Sequence, residues 1–365
     1  MKRLMCTAII LALSFVIGIG AEARSIEDKT MSLSEAVTIA KENSRQAVID
    51  SLDIRKKKIQ LKKAKENADN LGTAYGYENI LNNNITREVR VMEAENAVTI
   101  AEMTAADNMK KLEQDVYRVF MNILLAEKEL ELAIEKKSIS EEKYNIVKAM
   151  NAAGTAAGEQ LSNAEYDLYS KTADIEVKKG RLDQLDLELK RLLNFPYDSK
   201  IIEIEGVIEM VPFTEVDIEK LIDEQKDAGT EIFIEECSLN AAIKTMELTK
   251  EFFIPGTDIY DQNEISLNAA YRNLDAAKRN REVKIRSTYN ELLNLIDGIK
   301  LAEEYEKLQQ KKFSNTQNRY DKGQISKELL LTSKEGYLDA VYRKIKAIYD
   351  VNIKKYEFDA LIIIK

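Results

Sequence analysis

Carboxylates and amines are the only abundant reactive groups in this chain, whose 365 residues hold 63 Asp and Glu, 54 Lys and Arg, two cysteines and no histidine. Paired carboxylates can serve acid–base or metal chemistry, but here they alternate with lysine along helical stretches, as solvated faces do. With imidazole absent, the commonest general base and metal ligand is missing. Cys6 lies in an apolar N-terminal run without a lipobox, and Cys237 reads as a small apolar residue on a helix face with no intramolecular disulfide partner. No nucleophile–base pair or metal-ligand cluster is visible, so an enzyme is not expected and no cofactor or metal is implied. A formal net charge of −9 makes nucleic acid a poor partner.

The residues left to do chemistry are those of recognition, at two glycine-bearing breaks. One is Asn-Ala-Ala-Gly-Thr-Ala-Ala-Gly, residues 151–158; the other is Arg-Tyr-Asp-Lys-Gly-Gln-Ile-Ser, residues 319–326. Gly323 fits a turn that needs positive φ. Ser326 fits the N-cap of the helix that follows, and Arg319 and Tyr320 fit dipole and packing roles at a helix end.

These breaks belong to a duplication. The stretch from Asp115 to Leu193 matches that from Ser287 to Leu361 at an offset of roughly 170 residues. Val116-Tyr117 faces Thr288-Tyr289, the break at Asn151 faces the one at Arg319, and Leu161 faces Leu329. Each unit is about half the chain, far longer than a solenoid repeat. The organisation expected is a secretory leader over 1–23, a first helical repeat over 24–195, a linker over 196–215 and a second helical repeat over 216–365. The leader reading rests on Lys2 and Arg3, the apolar run Thr7 to Gly20, and Ala21-Glu22-Ala23 as cleavage site. Its removal deletes Lys2, Arg3 and Glu22, a net +1, so the charge moves from −9 to −10.

Prolines occur only at 196, 212 and 255, which permits long helices elsewhere. Periodicity predicts six: about Ser34–Asn70, Thr86–Met150, Glu159–Leu193, Val216–Phe253 with an interruption at Gly229, Glu264–Tyr320 and Ser326–Ile363. Ser32 and Glu35 are set as a capping box for the first. Leu182, Leu185, Leu189 and Leu192, and again Leu338, Val341, Ile345 and Ile348, alternate at three and four as helix seams do. At 1.5 Å per residue the second helix spans roughly 95 Å and the fifth about 85 Å, with neighbours of about 55 Å. Two short helices laid end to end can therefore flank one long one. The fold class is all-α, an elongated duplicated long-helix protomer with little or no β-barrel. Ile202 and Ile204 alternate with Glu203 and Glu205 in the linker, as a short strand or as an extended segment without a partner.

The ordered set of motifs resembles the TolC-like outer-membrane efflux family across essentially the whole mature chain. Leu33-Ser-Glu-Ala-Val-Thr-Ile-Ala-Lys-Glu-Asn43 is similar to that family's opening helix, and Leu192-Leu-Asn-Phe-Pro196 to the "L-L-G-x-P" that closes its first half. Lys250-Glu-Phe-Phe-Ile-Pro255 resembles the segment before its second strand pair. Residues 319–326 and the leucines after them resemble the tip of its helical tunnel. The resemblance implies a homotrimer forming an α-helical barrel, and an export duct docked on a periplasmic adaptor and an inner-membrane pump. It implies adaptor contact at Gly154, Thr155, Gly158, Arg319, Tyr320, Gly323, Gln324, Ile325 and Ser326. The expected location is the cell envelope, outer-membrane-associated or periplasmic.

Two departures accompany it. Leu71 to Ile85 and Ile254 to Glu264 are too short for two membrane strands and a turn, which need roughly 10 alternating residues per strand. Open strands in hydrocarbon would leave backbone groups unpaired. The acidic positions after the family's tip stand here as Leu329 and Thr332. Export duct and exported coiled-coil scaffold that keeps the fold without transport are the two readings. An amphipathic lipid-binding helix protein fits less well, because the heptads suit helix–helix seams.

Overall fold

The computed structural model describes residues 30–200 and 202–362. The expected leader and the last residues expected for the final helix lie outside them. Nine α-helices occur among the described residues: α1 Leu33–Glu42, α2 Arg45–Asp69, α3 Tyr77–Asn84, α4 Val91–Ala152, α5 Gly158–Leu193, α6 Ile218–Gln225, α7 Thr230–Lys250, α8 Asp258–Asp321 and α9 Lys327–Leu361. A π-helical turn, Ile85–Arg90, joins α3 to α4 without a break.

Two of the expected boundaries are corrected. The first helix is two, because the chain leaves the helix at Asn43 and restarts at Ser44, whose side chain caps Ala47. The apolar periodicity runs across this joint, so only the cap marks it. The asparagine cluster 82–84 lies inside a helix rather than before one. Asn83 ties its amide to the Gly72 carbonyl at 3.1 Å, Thr86 back-bonds to Asn82, and buried Leu81 and Val89 pack beneath. These contacts override the weak helix preference of asparagine. The interruption at Gly229 is present, at φ +104°. The capping box forms as expected, with Glu35 accepting from the Ser32 amide at 3.0 Å and Ser32 Oγ from the Glu35 amide at 3.3 Å.

The helices stand side by side. In one half the order across the molecule is α2, α4, α7, α8, and in the other α5, α4, α9, α8. Each long helix is thus flanked by shorter ones laid end to end. Antiparallel ion pairs mark the α2/α4 register: Lys58–Glu102 at 3.0 Å and Lys65–Glu95 at 2.8 Å. At 1.5 Å per residue, the 62 residues of α4 and the 64 of α8 are about 93 and 96 Å long.

Two related cores sit where the short helices meet. In the first, Val116, Phe120, Leu185, Leu189, Leu193, Ala36 and Ala40 pack together, and Tyr117 stacks on Tyr356 at 4.2 Å. In the second, Ile285, Leu292, Val351 and Phe358 enclose Tyr289, the residue that duplication pairs with Tyr117. The linker wraps this level. Its strand-like passage has a partner after all, a single parallel bridge between Met31 and Ile204, made by Met31 N–H to Glu203 O and Glu205 N–H to Met31 O. No other strand pairing occurs among the described residues. Buried Asp186 accepts from the Ile202 amide and pairs with Lys190, which donates to the Ser199 carbonyl. Asn352, also buried, donates to Glu209 O and accepts from the Val211 amide. Those paired groups hold extended backbone that would otherwise be left unsatisfied against the helices.

Candidate functional site

The two predicted breaks lie at one end of the molecule, as the turns of the α4/α5 and α8/α9 hairpins. They are built alike. Gly154, at φ +73°, donates to Asn151 O at 2.9 Å, and the Thr155 amide to Met150 O at 2.8 Å. Gly323, at φ +69°, donates to Tyr320 O at 2.8 Å, and the Gln324 amide to Arg319 O at 2.9 Å. Each is a Schellman stop, in which a left-handed residue turns the chain and satisfies the last carbonyls of the helix. Glycine adopts that conformation without a Cβ clash. Nothing lies within 4 Å of a Cβ placed at either position, so backbone conformation, not crowding, selects glycine.

The superposed hydrogen bonds correct the pairing of the two breaks by one residue. Gly154 corresponds to Gly323, and the N-cap Ala157 to the N-cap Ser326, an offset of 169. Gly158 therefore answers to Lys327, not to Ser326, and Leu161 to the buried Leu330, not to the exposed Leu329. Length conservation around a turn cannot be seen without the caps. At the second turn Ser326 Oγ accepts from the Leu329 amide at 3.3 Å. At the first, alanine offers no acceptor, and only the reverse bond of a capping box forms, Ala157 N–H to Gln160 Oε1 at 3.0 Å.

Of the nine predicted residues, Gly154, Thr155, Gly158, Arg319, Gly323, Gln324 and Ser326 are exposed, and Tyr320 and Ile325 half-buried. Thr155 Oγ1 is turned back onto Met150 O, and the Tyr320 ring lies 5.6 Å from Lys327 Nζ. Asn151, Gln160 and Lys327 also belong to the two turns. Asn151 braces the turn by donating to Ala156 O at 2.9 Å. Glutamine at the third position after the cap is the signal that could have found Gln160.

Behind the tips, polar links run along the seam between α4 and α9. Lys143 pairs with Glu335 and Lys136 with Asp339, each at 2.5 Å, and Lys334 pairs with Glu135 at 2.8 Å. Glu129 accepts from Tyr342 at 2.5 Å and from Lys178 at 2.9 Å, bridging α4 to both α9 and α5. Burial pushes the Glu129 carboxyl up, but the hydrogen bonds from Tyr342 and Lys178 outweigh it, and the net displacement is downward. Burial and the same bond raise the Tyr342 phenol. Between the links Leu132, Ile139, Leu331 and Leu338 form an apolar core. Among the described residues no group of three acidic or cysteine side chains is placed to hold a metal, and no helix is long and apolar enough to cross a membrane.

Solved structures share this fold over 90% or more of the chain. The chain superposes on CusC, described as undergoing conformational changes on folding and transmembrane channel formation, with a TM-score of 0.69 at 15% identity over 90% of this chain and 91% of that one. On VceC, an outer membrane protein of Vibrio cholerae, the values are 0.67 and 11%, over 90% and 95%. The CmeC outer membrane channel of Campylobacter jejuni gives 0.64 and 14%, over 93% and 90%. The chain has the TolC-like fold. No family profile and no curated protein matches it. Within the TolC-like fold, Asn194 occupies the glycine place of the motif closing the first half; it holds φ +57° and the same Schellman bonds, Asn194 N–H to Arg191 O and Phe195 N–H to Lys190 O. Asparagine is the residue besides glycine that tolerates this region.

Proposed function

We propose that this chain is one protomer of a homotrimeric export duct, exported by its leader to the cell envelope. Its hairpin tips dock on a periplasmic adaptor that couples the duct to an inner-membrane pump. The duplicated halves 24–195 and 216–365 supply equivalent wall segments. The observation that carries this reading is a pair of matched free edges on the TolC-like fold. Along one edge α2 exposes Val48, Ile49, Leu52 and Ile59, and α5 exposes Tyr166, Tyr169 and Val177; along the other α8 exposes Val283, Leu301 and Leu308. Two different apolar edges call for a head-to-tail contact, which closes into a ring when the rotation allows. The fold's relatives supply the reason to expect closure as a tube.

Adaptor contact falls to Gly154, Thr155, Gly158, Arg319, Tyr320, Gly323, Gln324, Ile325 and Ser326, which offer uncharged backbone on one turn and charge on the other. Photo-crosslinkers at Thr155 and Gln324 should capture one envelope protein of adaptor type. Chemical cross-linking should stop at three copies. A chain that stays monomeric at every concentration, and whose Gly323→Pro variant leaves every export process intact, refutes the duct.

The scaffold reading is favoured by one observation: the links 70–76 and 251–257 are short and hold no strand among the described residues. It predicts the trimer without adaptor capture.

A further inference from the structure

Opposite the tips, the link between α2 and α3 and the link between α7 and α8 meet in one aromatic knob. Residues 71–77 and 252–257 contain no charged side chain, in a chain that is 32% charged, and exposed Glu78, Glu251 and Asp258 flank them. Tyr77 lies against Phe252, ring centroids 6.1 Å apart, so the two links form one surface. Beneath it Leu81, Val89, Ala241 and Leu248 form a closed core with Phe252, Phe253, Ile85 and Ile259. That core holds the outer side chains away from the body. Tyr75 is 81% exposed, Tyr77 67% and Ile254 71%. Gly76 and Gly256, both at positive φ, set the bends that present them. At the tip end the exposed side chains are mixed: Arg319, Asp321, Lys322 and Gln324 stand beside Met150 and Leu329.

We infer that this knob seats in the interfacial layer of a lipid bilayer, monotopically, without crossing it. Tyrosine suits that layer because its ring is apolar and its hydroxyl stays hydrated. The hydrocarbon core is closed to the knob, since its loop backbone has carbonyls and amides with no partner strand. A second protein is the poorer occupant: three such side chains offer on the order of 500 Å², below the about 800 Å² per partner of a stable interface. A lipid surface needs no such area, because affinity grows with each inserted group and is multiplied when copies act together. The multiplication rests on the proposed ring; the seating of one knob does not.

The chain contains no tryptophan, so one introduced ring reports its own surroundings. Tyr75→Trp in the exported, purified chain is mixed with zwitterionic phosphatidylcholine vesicles, with and without bromines at defined acyl depths. A blue-shifted emission is expected, quenched most by the shallowest bromines and little changed in about 0.5 M salt, since the vesicles carry no net charge for the protein's charges to act on. Adding Tyr77→Ser and Ile254→Ser should lower the vesicle-bound fraction about tenfold, with helix content unchanged by circular dichroism. Gln324→Trp, at the tip end, should not respond to lipid. The proposal is overturned by no shift with vesicles, by equal quenching at Gln324→Trp, or by a concentration-dependent shift without lipid, which would assign the knob to a second copy. Cross-linking the same samples separates this test from the duct: a lipid-responsive monomer upholds the knob alone, and a trimer blind to lipid upholds the duct alone.

Discussion

Asn43 donates its side-chain amide to the backbone carbonyl of Leu193 at 3.0 Å, across 150 residues of chain. The last residue of the opening motif thereby holds the last turn of the helix that ends the first half. The carbonyl is one that a helix C-terminus leaves without an intrahelical partner. Asn43→Ala should destabilise the fold by about 1 kcal/mol, read as a lowered midpoint in chemical denaturation. Asn194→Gly next to it should be close to neutral, and Asn194→Val should cost about 1–2 kcal/mol for its left-handed φ.

Gly229 and Arg281 form a tighter constraint. A Cβ at Gly229 would stand 2.9 Å from Arg281 Nη1, and φ there is +104°. Arg281 is itself buried, donating Nε–H to Gln225 O at 2.7 Å and Nη2–H to Leu361 O at 3.0 Å, so one guanidinium closes the C-terminal ends of α6 and α9. Gly229→Ala should cost more than about 2 kcal/mol, strain and displaced cation together. Gly180→Ala, inside α5 with nothing within 4 Å, should instead stabilise by up to about 1 kcal/mol. Urea denaturation of the pair gives the contrast directly.

The Glu129 bridge predicts an acid-sensitive seam. Its carboxyl is held below its ordinary value in the folded chain, so its contribution is present above the unfolded value and is lost as pH falls through the folded one. Tyr342 titrates the other way: a phenol raised by folding stabilises up to its ordinary range and loses that contribution as pH climbs beyond it. Thermal melts of wild type and Glu129→Gln should differ most near neutrality and converge in acid. Equal differences at every pH would show the bridge to be packing alone.

Cys237 is buried on α7, and burial raises its thiol above the usual range. The native chain should resist a thiol reagent at neutral pH and react fully in denaturant. Fast native labelling would mean that α7 opens locally.

How much of this was legible in the sequence depends on whether the cause is local. The glycine stops, the Ser326 cap, the Ser32–Glu35 box and the Gly229 interruption were readable, because each answers to its own few residues. The joint at Asn43 was hidden, since a helical period continues through it and its purpose is a carbonyl 150 residues away. The helix start expected at Thr86 falls short of the helical asparagines at 82–84 for the same reason: Gly72 and the core under Leu81 decide them. Nothing local distinguishes Arg281 from the other cations of a charged helix; α6 and α9 bring two carbonyls to it. At the tips, the two turns could be found but not paired residue for residue, because Ala157 takes the cap position without a capping side chain.

α3, the π-turn and α4 run on as one rod from Tyr77 to Ala152, beside the 64 residues of α8, and the two rods make the molecule a ruler. The distance between its two ends is written into both long helices at once, and each is keyed to its neighbours by antiparallel rungs. An insertion of one heptad in α4 alone would shift every rung beyond it by about 10 Å. Lengthening or shortening the span between the two ends therefore requires a change in both halves.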